Sequence, residues 1–272
     1  WSSDVCSSDL GALAVTLVGC ASNAPDARRT RDLSRAERIV AGYDEARSTR
    51  SARMDGEVRA RVGERDVTIP LEGAIDFEHD AARFSVSLAG LGLPSLGDAS
   101  IEARVVDGRV YLRLPGFAAQ FLGGATWAEV PLGAMGSTTT DPTGFLDALR
   151  GVTEVDRVGT DTIRGVEATH YRGTISLAEA LRRAPEARRE GLRRAIGDDA
   201  TLPVDVWVDG QDRPVRFVAT FAAGGAEASV RLDLFDYGAD ITVVAPPADE
   251  VTSLGGLLGG AGDGSGAPAA NA

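Results

Sequence analysis

Ile101 to Leu114 reads IEARVVDGRVYLRL, and this stretch decides the fold class. Ile101, Ala103 and Val105 alternate with charged or polar partners. Asp107-Gly108 then supplies a two-residue turn, after which Val110, Leu112 and Leu114 resume the alternation. A period of two on each side of Asp-Gly marks an antiparallel hairpin with one apolar and one wetted face.

The same period runs outward in both directions. Val58, Ala60 and Val62 alternate with Glu57, Arg59 and Arg61, and Val67, Ile69, Leu71, Gly73, Ile75 and Phe77 form the next apolar row. Phe84, Val86 and Leu88 follow. Beyond the hairpin, Val152 to Val158 and Thr162 to Ile175 read as strands, as do segments holding Val204, Val206 and Val208, then Val215, Phe217, Ala219 and Phe221. Ala228, Val230, Leu232 and Leu234 come next, and Ile241 to Val244 is the last expected strand. About ten strands therefore need one cover for their apolar faces.

Candidate covers are few. Leu33, Ala36, Ile39, Val40, Tyr43 and Ala46 recur at helical spacing between Asp32 and Thr49. Asp141-Pro142 opens a short helix with Phe145, Leu146 and Leu149. Ser176 to Ile196 is helical in period, with Pro185 splitting it. The expected class is α+β, a strongly curved antiparallel half-barrel covered on its concave apolar face by a few short helices.

The inward positions are Val58, Ala60, Ile69, Leu71, Phe84, Val86, Ala103, Val105, Val110, Leu112, Val206 and Phe217. Many are small, which suits an underfilled lipid cavity; a sheet that curls tightly and fills itself has the same pattern. Two glycine-broken apolar loops, 87–97 and 114–124, stand where polar turns belong, with Leu91, Leu93, Phe117 and Phe121 as candidate mouth residues. Such loops either meet a membrane, ligand or protein, or tuck under the sheet rim.

The N-terminal region reads as an address. Residues 1–10, WSSDVCSSDL, resemble a translated sequencing adapter and are set aside. Residues 11–19 have the character of a truncated lipoprotein signal, and Leu17-Val18-Gly19-Cys20 matches the bacterial lipobox. Cys20 is the expected lipidation site, followed by a tether over 20–31, the folded domain over 32–251 and a Gly/Ala-rich flexible tail over 252–272. Acyl chains on Cys20 would hold the protein on the extracytoplasmic face of the cell membrane, each buried methylene contributing roughly 0.8 kcal/mol.

Composition narrows the function classes. The 272 residues carry 28 basic side chains against 40 acidic ones, a formal charge of -12, so a nucleic acid would be repelled. The two cysteines, Cys6 and Cys20, lie outside the folded region, and His79 and His170 have no metal-ligand spacing. No nucleophile elbow, phosphate loop or HExxH helix is present in the folded region. No enzyme, cofactor or metal is expected.

Three segments together carry a family resemblance: Val105 to Leu112, Arg164 to Gly173 (RGVEATHYRG), and Leu202 to Gly210 (LPVDVWVDG). They resemble the LppX/LprAFG lipoproteins of actinobacterial envelopes, a family similar in fold to the LolA and LolB carriers. The resemblance implies a half-barrel with a hydrophobic cavity for lipid or acylated glycolipid, carried within the envelope. It names no envelope transporter partner. The competing expectation is a lipid-anchored scaffold or sensor whose interior is collapsed.

Overall fold

The computed structural model describes residues 34–62, 65–92, 94–116, 120–131, 146–186, 189–190, 193, 201–223 and 226–253. The chain divides into two compact units, Trp1–Asp32 and Leu33–Ala272, and the described residues all belong to the second. Cys20, the signal-like segment and the tether lie outside them.

Helix α1 (Arg35–Ser48) starts where its sequence provides a capping box. The Ser34 hydroxyl accepts from the Glu37 amide at 3.2 Å, and the Glu37 carboxylate accepts from the Ser34 amide at 2.9 Å. Its stripe of Ile39, Tyr43 and Ala46 is buried. Helix α2 (Leu177–Arg183) is capped by Ser176 and ends at Ala184, the residue before Pro185, in extended backbone.

Strands β1 (Ser51–Val62), β2 (Arg65–Asp76), β3 (Ala81–Ser87), β4 (Ser100–Val106), β5 (Arg109–Arg113) and β6 (Trp127–Pro131) form one run of neighbours. The other run is β7 (Val152–Ile163), β8 (Val166–Ser176), β9 (Thr201–Val208), β10 (Pro214–Ala223) and β11 (Ala226–Phe235), and β12 (Val251–Ser253) completes the set. All belong to one curved, unclosed sheet in the order β12-β6-β5-β4-β3-β2-β1-β11-β10-β9-β8-β7. Every pairing is antiparallel except β12 with β6. The two runs join where β1 pairs with β11, with Gly56 opposite Leu232.

Asp107 and Gly108 have φ of 51° and 70°, the turn that the sequence predicts between Val106 and Arg109. The turn between β7 and β8 departs from expectation. It falls at Arg164-Gly165, with φ of 51° and 84°, and not near Gly159. Gly159 instead pairs with His170 beside a register shift, so β7 continues through it as an irregular edge strand.

Ile241 to Val244, expected as a strand, is an extended strap without strand pairing. The Val243 amide donates to the Asp76 carboxylate at 3.3 Å and the Arg104 guanidinium reaches the Val244 carbonyl, so side chains take up these two backbone groups. The last strand comes later, and Thr252 and Ser253, expected in the tail, belong to it. Of the helix expected from Asp141, only 146–151 is described: two helical residues, Leu146 and Asp147, followed by the 3-10 turn Ala148–Gly151.

One continuous core lies on the apolar face. It joins Ile39 and Tyr43 of α1, Leu146 and Leu149, and Leu177 and Ala180 of α2 to the inward rows of the sheet. Among the described residues no helix is long and apolar enough to cross a membrane.

Candidate functional site

The register places all twelve inward candidates on one face. Val58 pairs with Ile69, Leu71 with Val86, Phe84 with Ala103, Ala103 with Leu112, Val105 with Val110, and Phe217 with Val206. Ala60, two residues from Val58, shares that face by alternation. They divide by burial. Phe84, Ala103, Val105, Val110, Val206 and Phe217 are inside the continuous core, whereas Val58, Ala60, Ile69, Leu71, Val86 and Leu112 are half-buried.

What lies opposite explains the split. Among the described elements, α1 packs on β7 and β10, the 146–151 turn packs on α1, and α2 packs on β8 and on that turn. These elements pack on the β7, β8 and β10 part of the apolar face. The ends of β1 to β5 that point toward the 88–99 loop have the 3-10 turn Ala89–Leu91 beside β2. Gly90 is required there: a Cβ at this position would come within 1.7 Å of the Thr68 carbonyl oxygen. Leu91 is half-buried in this turn. Leu93 and Phe117 lie outside the described residues, and Phe121 falls in the turn Gln120–Leu122 without a described side chain.

Small residues shape the apolar face at its centre. A Cβ on Gly56 would stand 2.7 Å from Leu232 Cδ2 and 3.2 Å from Leu71 Cδ1, so these two leucines occupy the space above it.

The covering elements are joined to one another by polar contacts. The buried Tyr43 hydroxyl donates to Asp147 at 2.8 Å, and the Arg150 guanidinium meets Asp44 at 2.5 Å. Arg47 reaches Asp80 at 2.7 Å in the β2–β3 turn. Burial, followed by the Asp147 carboxylate, pushes the Tyr43 phenol well above its ordinary value, so it remains a donor.

Each histidine is paired with a carboxylate. The His79 Nδ1 and backbone amide both meet Asp76, at 2.9 and 3.1 Å. Burial alone would raise the Asp76 pKa; the bonds from His79 and the Val243 amide overcome that and hold it below its ordinary value. His170, expected on a strand surface, is buried on the polar face. It stacks on Trp207 at 4.0 Å and meets Asp205 through Nε2 at 2.6 Å. Among the described residues no group of three or more ligand-type side chains could hold a metal ion.

Sequence alternation also misplaces Val215. A register shift between Pro214 and Arg216 makes it the extra residue of a bulge, and it packs with Ile163 and Ala168 away from the main core. A bulge leaves no mark in the hydrophobic pattern, because valine is apolar on either face.

With this geometry in view, the comparison with known families has one clear outcome: residues 96–243 match the model of the LppX_LprAFG lipoproteins. The chain belongs to the LppX/LprAFG lipoprotein family. The family match runs from the loop before β4 to the Val243 strap, and so includes the β4–β5 hairpin and all of β7 to β11. A Streptomyces griseus relative, described as an uncharacterized 31.2 kDa protein in the rplA-rplJ intergenic region, is 25% identical over 237 residues. That alignment covers 80% of this chain and 74% of the relative. The crystal structure of the Mycobacterium tuberculosis lipoprotein LppX is similar at 18% identity and a TM-score of 0.48, covering 77% of this chain and 97% of LppX. That of LprF from Mycobacterium bovis has 16% identity and a TM-score of 0.43, covering 78% and 96%.

Proposed function

We propose that this lipoprotein binds lipid or acylated glycolipid against the apolar face of its sheet, in a half-barrel cavity covered by α1, the 146–151 turn and α2. It carries that ligand within the cell envelope while anchored by acylated Cys20 on the extracytoplasmic side of the membrane. Membership of a lipoprotein family supports the anchor. One observation carries the ligand: Val58, Ala60, Ile69, Leu71, Val86 and Leu112 continue the apolar face and are only half-buried. Leu91, Leu93, Phe117 and Phe121 form the mouth.

The energetics fit a carrier better than a store. Each methylene leaving water contributes roughly 0.8 kcal/mol, but leaving a bilayer forfeits nearly the same amount. Net affinity is therefore modest and loading reversible.

A scaffold with a collapsed interior is the second reading, favoured by the ten inward candidates that belong to the continuous core or pack against it. Mass spectrometry of organic extracts from the Cys20→Ser protein separates the two. Stoichiometric lipid is expected, and lipid-free protein would leave the scaffold.

A further inference from the structure

We propose that the ligand of the apolar face is a lipid with a net-negative phosphodiester headgroup, and that Arg65, at the tip of the β1–β2 hairpin, holds that headgroup. This inference rests on the lipid-binding reading above, and adds to it the headgroup class and the direction in which the ligand lies.

Register sets Arg65 apart. Across the hairpin Val62 pairs with Arg65, Ala60 with Val67, Val58 with Ile69 and Gly56 with Leu71. Alternate residues of a strand share a face, so Arg65 heads the inward row that continues through Val67, Ile69 and Leu71. Among the described residues of β1 to β5, it is the one charged residue in the inward rows.

Its pairing is equally distinct. The other arginines of the hairpin all meet carboxylates: Arg53 meets Asp236 at 3.5 Å, Arg59 meets Glu57 at 2.6 Å and Arg61 meets Asp66 at 2.9 Å. Arg65 is exposed, and no described residue gives it an ion pair or a hydrogen bond. Its neighbour Asp66 belongs to the opposite face by alternation and is taken by Arg61. A cation left without a protein partner thus stands at the end of a half-buried apolar row.

The length of that row fits a membrane lipid. Arg65 and Leu71 are six residues apart, about 20 Å along the strand. Beyond Leu71 the row ends in core, because Met54 and Ile75 are fully buried and Leu71 and Leu232 fill the space above Gly56. The acyl chains of one bilayer leaflet span about 15 Å. A chain laid along Val67, Ile69 and Leu71 therefore brings its headgroup to Arg65. There the guanidinium can donate two parallel bonds to the free phosphate oxygens. The same inward rows supply no carboxylate for an ammonium group, so phosphatidylglycerol is matched and phosphatidylcholine is not.

The test loads the full chain carrying Cys20→Ser from vesicles of equimolar phosphatidylcholine and phosphatidylglycerol, then re-isolates it and extracts the bound lipid for mass spectrometry. Phosphatidylglycerol is expected to be enriched about fivefold, the scale of one partly solvated charge-assisted bond. Arg65→Gln should bring the ratio near one with total lipid and the urea midpoint unchanged, while Arg59→Gln, on the polar face, should keep the native ratio. Equal amounts of the two lipids on the native chain would overturn this inference and leave the lipid reading standing, whereas a lipid-free chain would overturn both. An enrichment that survives in Arg65→Gln would remove Arg65 from the site. If Arg65→Gln lowers only co-sedimentation with phosphatidylglycerol vesicles and keeps the bound ratio, the arginine meets the bilayer surface and the inference falls.

Discussion

Two parts of one apolar face are built from the same residue types and end in different states. On β8 to β10, Ile175, Val204, Val206 and Phe217 are at most 1% exposed, while on β1 to β3 Val58, Ile69, Leu71 and Val86 remain half-buried. The strands do not differ in alternation; among the described elements, α1, the 146–151 turn and α2 pack on β7, β8 and β10. Alternation chooses the face a side chain occupies, and the covering elements choose whether it becomes core.

The largest test of that difference is truncation. Phe217→Ala is expected to cost about 4 kcal/mol and Leu71→Ala about 1.5 kcal/mol, because the second removes surface that water already partly reaches. Urea unfolding at constant m measures both. Equal losses would mean that the two regions are packed alike.

Overpacking sharpens the comparison from the other side. Ala103 is 1% exposed within the core, so Ala103→Phe is expected to cost about 2 kcal/mol. Ala60 is half-buried, and Ala60→Phe should shift stability by less than about 0.5 kcal/mol while reducing co-purified lipid. Unchanged lipid content in a folded Ala60→Phe protein would remove β1 from the proposed cavity.

The strands and the face of each inward candidate were legible because a period of two survives in any single sequence. The Asp107-Gly108 turn was legible too, since its chemistry matches its geometry. Burial was not, because it depends on contacts between residues far apart in the chain, such as α1 on β10 or Gly56 beside Leu232. The Arg164-Gly165 turn was missed because arginine is a poor match for its own φ. Ile241 to Val244 has the side-chain pattern of a strand, while the partners of its Val243 and Val244 backbone groups are the side chains of Asp76 and Arg104. Polarity places His170 on the wetted face without showing that Trp207 covers it.

The cover itself can be loosened. Tyr43→Phe removes the hydroxyl that donates to Asp147 and is expected to cost about 1.5 kcal/mol. The raised Tyr43 pKa also gives a sign: the folded state holds this proton more tightly, so its contribution is complete below about pH 10 and declines as pH rises above that. Unfolding midpoints between pH 8 and 11 should fall in the native protein and fall less in Tyr43→Phe.

The smallest effect concerns the strap on the polar face of the first run of strands. Asp76 fastens it by accepting from the Val243 amide, and His79 supplies two of the bonds that keep Asp76 ionised. A depressed carboxylate contributes stability that is present above its unfolded value, near 3.8, and is lost as pH falls through the lower folded value. His79→Ala removes the imidazole bond but leaves the residue-79 amide and the Val243 amide in place. The expected loss at pH 7 is therefore under about 1 kcal/mol, since a bond to a half-exposed histidine is weaker than a fully buried one. The more telling change is in the acid limb: without the imidazole, the folded Asp76 pKa moves back toward its unfolded value, so less stability is lost on acidification. Urea midpoints measured from pH 7 down to 2 should lie lower in His79→Ala at neutral pH and converge with those of the native chain on acidification. Parallel curves would mean that the two backbone amides alone hold Asp76, and that the strap is fastened without help from the histidine.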